Sequence, residues 1–138
     1  MTVEGTPAAQ SSGLILIVDD EPFIARALGF LLTREGYRVE IARDGEEGLA
    51  RIRALRPALV FLDAMMPRLT GYAVAEQVRR DPALAGTYLI MLSAQGRESD
   101  RERGLRAGVD EYLAKPFNPR EIVSRVRAVF ARAQVSAA

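Results

Sequence analysis

Leu59-Val60-Phe61-Leu62-Asp63-Ala64-Met65-Met66-Pro67 is the stretch whose reading decides the fold. Four apolar residues run directly into an acid, and a proline closes the segment. An uninterrupted apolar run of this length predicts a strand buried on both faces, as in a parallel sheet covered on each side. Asp63 then stands at the strand's carboxyl end, where open α/β sheets place their ligand crevice. A carboxylate there is a metal ligand, a nucleophile or a helix cap, and the flanking chain has to decide which.

Working outward, Leu14-Ile15-Leu16-Ile17-Val18 repeats the pattern and ends in Asp19-Asp20-Glu21. Ile24, Ala27, Leu28, Leu31 and Leu32 then recur at helical spacing, and Gly36 stops that helix. Residues 37–42 form a weaker, more alternating strand that belongs nearer an edge. Asp44-Gly45-Glu46-Glu47 opens a helix as a capping box, with Glu47 reaching back from N3. That helix carries Leu49, Ile52 and Leu55 and stops before Pro57. After the central strand come a helix over 71–80 with Tyr72, Ala75 and Val78 inward, and a strand over 87–92 ending at Ser93. A charged helix over 99–107 is ended by Gly108, and a last strand spans 109–113. Asn118-Pro119-Arg120-Glu121 opens the final helix with a cap, a proline at N1 and an acid at N3. Its buried stripe is Ile122, Val123, Val126, Val129 and Phe130, and its end falls near Ala133.

Five strands alternating with five helices over short connections predict an α/β fold, doubly wound, with a parallel sheet and helices on both faces. Residues 1–13 are small, polar and proline-containing, and read as a disordered lead-in. The domain is expected over 14–133, followed by a tail over 134–138, with no second domain.

At 138 residues the chain suits one domain, able to bury about 70% of its unfolded surface. A net charge of +1 argues against a nucleic-acid module. No stretch approaches the ~20 apolar residues of a membrane span, and no signal segment is apparent, so a cytoplasmic protein without membrane contact is expected. Cysteine is absent, which removes disulfides and thiolate metal sites. Histidine is absent as well, so imidazole chemistry must come from another chain. Of the 19 basic residues, Lys115 alone is a lysine. The arginines of the last helix, Arg120, Arg125, Arg127 and Arg132, read as a solvated face.

In a parallel sheet all carboxyl ends point the same way. Asp19 and Asp20 after the first strand, Asp63 after the third, Ser93 after the fourth and Lys115 after the fifth therefore share one edge. Individually each has an ordinary explanation: a cap for Asp20, a turn for Asp63, a loop residue for Ser93, a solvated cation for Lys115. Together they require four coincidences. Two carboxylates about 4 Å apart repel by roughly 4 kcal/mol at an effective dielectric near 20, and a third makes matters worse unless a proton or cation intervenes. Oxygen ligands without imidazole or thiolate select a hard ion, Mg²⁺ or Mn²⁺ in its place. Lys115 would neutralise phosphoryl oxygens as a point charge, and the Ser93 hydroxyl would donate to another. The residues thus suggest metal-assisted phosphoryl transfer to Asp63, giving an acyl phosphate.

Over residues 13–133 the chain resembles the receiver domain of two-component response regulators. The resemblance rests on Ile17-Val18-Asp19-Asp20-Glu21-Pro22, on Leu62-Asp63-Ala64-Met65-Met66-Pro67-Arg68-Leu69-Thr70-Gly71, on Ser93-Ala94, and on Gly108-Val109-Asp110-Glu111-Tyr112-Leu113-Ala114-Lys115-Pro116-Phe117. It implies a flavodoxin-like sheet of order 2-1-3-4-5. It further implies that Asp63 accepts phosphate from a phosphohistidine on a sensor histidine kinase or a histidine phosphotransfer protein. Asp20, Asp63 and the Met65 carbonyl would bind Mg²⁺ directly, with Asp19 acting mainly through water. Lys115 would contact the phosphoryl group, aimed by a cis peptide before Pro116. Ser93 and Tyr112 are similar to the family's switch pair, which reshapes the surface of the fourth helix, fifth strand and fifth helix for a downstream effector protein in another chain. Ser93 departs from the more usual threonine, and Met65 and Gln95 occupy places that tune dephosphorylation.

Three other readings compete. A haloacid-dehalogenase-like phosphatase needs a second acid two residues after its nucleophile, where this chain has Met65. A flavodoxin-like cofactor binder is opposed by the acidic loop after Val18, the wrong sign for a phosphate cradle. A phosphate-independent scaffold is opposed by the complete set of site residues.

Overall fold

The computed structural model describes residues 13–94 and 96–137, with side chains through Arg132. The lead-in over 1–12, the side chains of the expected tail and Gln95 lie outside the described residues. The apolar runs form β1 (Leu14–Val18), β3 (Leu59–Asp63) and β4 (Tyr88–Ser93), joined by β2 (Arg38–Ala42) and β5 (Glu111–Ala114). All pairings are parallel and the order is β2-β1-β3-β4-β5, so β2 lies at an edge. The fold is the flavodoxin-like one implied by the sequence.

Side-chain alternation explains why these runs are apolar throughout. Ile15, Ile17, Leu59, Phe61, Ile90 and Leu92 enter one core, beneath α1 (Pro22–Arg34) and α5 (Pro119–Ala137). Leu16, Val18, Val60, Leu62, Leu89 and Met91 enter the other, beneath α2 (Gly45–Leu55), α3 (Gly71–Arg80) and α4 (Glu98–Ala107). Every residue of β1 and β3 is buried, so neither face of these two strands meets water.

Local chemistry sets the helix ends. Asp44 caps α2 by accepting from the Glu47 amide at 2.8 Å. Glu47 reaches back one residue beyond the cap, to the Arg43 amide at 3.0 Å, while its other oxygen is held by Arg51 at 3.1 Å. Thr70 caps α3 through the Ala73 amide at 3.2 Å, a start the sequence reading had not marked. A short 3-10 turn at Pro82–Leu84 was also missed. Asn118 caps α5, accepting from Arg120 at 2.9 Å. That helix continues past Ala133 to Ala137, since no glycine or proline follows to stop it.

Phe61 is fully buried between β1, β4 and the α1–α5 layer. Phe61→Ala is expected to cost about 3–5 kcal/mol, read as a lowered denaturant midpoint with an unchanged slope.

Candidate functional site

Because every strand points the same way, their carboxyl ends form one edge of the sheet. Asp19 follows β1, Asp63 is the last residue of β3, Ser93 the last of β4, and Lys115 follows β5. Backbone bonds fix these ends. The Asp19 amide donates to the Ala42 carbonyl at 3.1 Å, the Ala64 amide to Leu92 at 2.9 Å, and the Lys115 amide to Ser93 at 2.8 Å. Gly71, at the start of α3, packs so closely on the Asp63 carbonyl that a Cβ there would collide with it. The Lys115–Pro116 bond is cis.

The lysine reaches across this edge. Lys115 Nζ lies 3.0 Å from Glu21 Oε1, 3.1 Å from Asp19 Oδ2 and 3.3 Å from Asp63 Oδ1, with its side chain 9% exposed. The contact to Asp19 is an ion pair outside hydrogen-bond angles, which leaves the buried Asp19 Oδ2 without a hydrogen-bond partner. Asp19, Asp20 and Asp63 each present an oxygen, all within 4.8 Å of one another. Asp19 and Asp63 are buried, while Asp20 is exposed. This cluster could hold a metal ion: its donors are all hard oxygens, and the buried Asp19 Oδ2 has no hydrogen-bond partner among the described residues.

Charge crowding shapes the titration of these groups. Burial, reinforced by the Asp19 charge, raises the Asp63 carboxyl from its ordinary value to about 7, against the opposing pull of Lys115. Burial would lower the Lys115 ammonium, but its hydrogen bond to Glu21 and the charges of Asp19 and Asp63 outweigh that and raise it. Lys115 is thus a permanent cation at this edge.

Ser93 is buried at the end of β4 and stands beside Ala114 in register. Tyr112, on β5, is turned inward and 7% exposed. It lies in the same buried cluster as Tyr72 of α3, whose hydroxyl is raised by burial and by the nearby Tyr112, and Arg103 of α4 lies 4.0 Å above the Tyr72 ring. Gly104 makes room for the Tyr112 ring, since a Cβ at that position would lie 3.1 Å from Tyr112 Cδ2. Met65 is 58% exposed, and its thioether adds no hard donor.

Sequence reasoning had placed Tyr72 inward without its tyrosine partner, and it had not connected Glu21 to Lys115. Those residues are 94 positions apart, and no local pattern signals such a pairing.

A doubly wound parallel sheet with an acidic, lysine-bearing site at its carboxyl edge defines a class of α/β proteins, and comparison with known proteins narrows it. Residues 15–127 match the response regulator receiver domain family. The chain belongs to that family, the receivers of two-component signal transduction. It is 42% identical over 123 residues to the alkaline phosphatase synthesis transcriptional regulatory protein PhoP of Bacillus subtilis, covering 89% of this chain and 50% of that protein. It is 44% identical over 119 residues to the transcriptional regulatory protein ResD of the same species, covering 86% and 48%. Among solved structures, a CheY-like response regulator receiver domain protein from Methanospirillum hungatei superposes with a TM-score of 0.82 at 31% identity, covering 89% of this chain and 97% of that one. The chain spans about half the length of the curated relatives it matches.

The raised Asp63 value makes a signed prediction for metal-free protein. Folded Asp63 holds its proton up to about pH 7, whereas the unfolded carboxyl releases it near pH ~4. Folding takes up a proton between those values, so this contribution to stability falls as pH rises through that window. The chain has no histidine to mask the effect. In chelator-treated protein the Tm should fall between pH 5 and pH 8, and Asp63→Asn should flatten that dependence and raise the Tm at pH 8. Calorimetric scans across this range give the comparison.

Proposed function

We propose that this chain is a phosphoacceptor receiver in which Asp63 takes a phosphoryl group from a phosphohistidine of a sensor histidine kinase or a histidine phosphotransfer protein. The observation carrying this reading is the Lys115 ammonium 3.3 Å from the strand-end Asp63, within a cluster of carboxylates. An Asp63 oxygen attacks phosphorus as the phosphorus–nitrogen bond of the donor breaks, and the imidazole nitrogen departs with that electron pair. The product is an acyl phosphate on Asp63. Lys115 offsets charge on the phosphoryl oxygens, and Ser93 supplies a hydroxyl donor from the end of β4.

Asp20, Asp63 and the Met65 carbonyl are the proposed direct ligands of Mg²⁺, with Mn²⁺ as substitute and Asp19 acting through water. When bound, that ion supplies charge neutralisation for the acidic cluster and the phosphoryl oxygens. In this reading hydrolysis of the acyl phosphate is also intrinsic to the domain, which acts in the cytoplasm. Ser93 and Tyr112 form the switch in this reading: the Ser93 hydroxyl is drawn toward the phosphate, and Tyr112, already inward against Gly104 of α4, is held in that position. The output is altered binding of the α4–β5–α5 surface to an effector protein, with no direct contact to nucleic acid or membrane. Moving such a switch from 1:99 to 99:1 takes about 5.5 kcal/mol of differential stabilisation.

Asp63→Asn should abolish phosphorylation by a phosphohistidine donor or a small phosphodonor while leaving the circular dichroism spectrum unchanged. Incorporation of label at residue 63 in that variant would overturn the assignment. Amide NMR shifts on adding beryllofluoride to the Mg²⁺-loaded protein should extend beyond the loop after Asp63 to Tyr112 and α5.

A further inference from the structure

We propose that Glu21 is a positioning residue that holds the Lys115 ammonium in the unphosphorylated protein and competes with the phosphoryl group for it. The proposal rests on the phosphoacceptor reading above and assigns a regulatory element within that site.

A lysine ammonium carries three donors and no acceptor, and three carboxylates surround this one. Glu21 is the nearest, at 3.0 Å, and it makes a hydrogen bond. Asp63 is bonded at 3.3 Å, whereas Asp19 is an ion pair off hydrogen-bond angle. Three carboxylate oxygens already crowd the ammonium within 3.3 Å, so a phosphoryl oxygen on Asp63 approaches it by displacing one of them.

Mobility decides which contact goes. The side chains of Asp19 and Asp63 are 1% and 7% exposed and emerge from strand ends, while that of Glu21 is 58% exposed. Glu21 occupies the N-cap position of α1, yet its side chain makes no capping bond. Serine, threonine, aspartate and asparagine are the usual side chains there because they are short enough to cap. The longer glutamate instead reaches out to Lys115, over a backbone anchored by the Glu21 amide donating to Asp19 Oδ1 at 2.9 Å. Among the described residues, rotating its carboxylate into water forfeits the Lys115 contact alone. Glu21 is therefore the displaceable holder: it keeps Lys115 oriented before phosphorylation and raises the phosphoryl affinity needed to recruit it.

Beryllofluoride titration at saturating Mg²⁺, followed by amide NMR, tests the contact directly. Three proteins are compared: wild type, Glu21→Gln and Glu21→Asp. The aspartate variant keeps the charge but is too short to span the gap. If Glu21 competes by contact, both variants bind the mimic about two- to fivefold more tightly than wild type, the scale of a half-exposed ion pair. Tightening in Glu21→Gln with wild-type behaviour in Glu21→Asp would reduce the effect to net charge and overturn the proposal. Equal affinity, or weaker affinity, in both variants would overturn it as well. Thermal melts of each variant report that the fold is retained. A wild-type protein that bound no beryllofluoride would instead defeat the phosphoacceptor reading itself, so the two failures are distinct.

Discussion

Crowding of carboxylates around a single ammonium is the constraint on which the rest of this structure depends. Asp19, Asp20, Glu21 and Asp63 meet at one edge of the sheet, and Lys115 is the cation brought against three of them. Like charges at such separations repel strongly in a partly desolvated setting. A fold that assembles them must supply rigidity from elsewhere. It does so with two apolar cores, one on each side of β1, β3 and β4. The site is thus held under electrostatic tension by elements that have no part in its chemistry.

That tension gives the edge its selectivity. Asp19 Oδ2 has no hydrogen-bond partner among the described residues, burial and the Asp19 charge hold Asp63 above the usual carboxylate range even beside Lys115, and Lys115 remains charged. A site in this condition favours a hard cation and a group rich in oxygen charge. On the neighbouring strand, Tyr112 is packed against Gly104 and shares a buried cluster with Tyr72, which Arg103 covers. The orientation of that tyrosine is therefore tied to α3 and α4 as well as to β5.

Much of the fold was legible in the chain because its signals are local and mutually consistent. Continuous apolar runs marked the central strands, the weaker alternation of 37–42 marked an edge, and Asp44 and Asn118 announced their helices. Errors fell where local signals are weak. The Thr70 cap and the turn at Pro82–Leu84 passed unnoticed, and the end of α5 was set too early because nothing in its last residues breaks a helix.

The sequence by itself determined the alternation of strands and helices, their parallel arrangement, and hence the gathering of Asp19, Asp20, Asp63, Ser93 and Lys115 at one edge. These follow from side-chain periodicity and from the common direction of parallel strands, which act over short distances along the chain. Only the tertiary structure decided which acids touch Lys115, that Glu21 is among them while serving no capping role, and that Tyr112 meets Tyr72 and Gly104. Those pairings join residues far apart in sequence. They depend on ångström-scale packing of α1, α3 and α4 against the sheet, which no periodicity encodes.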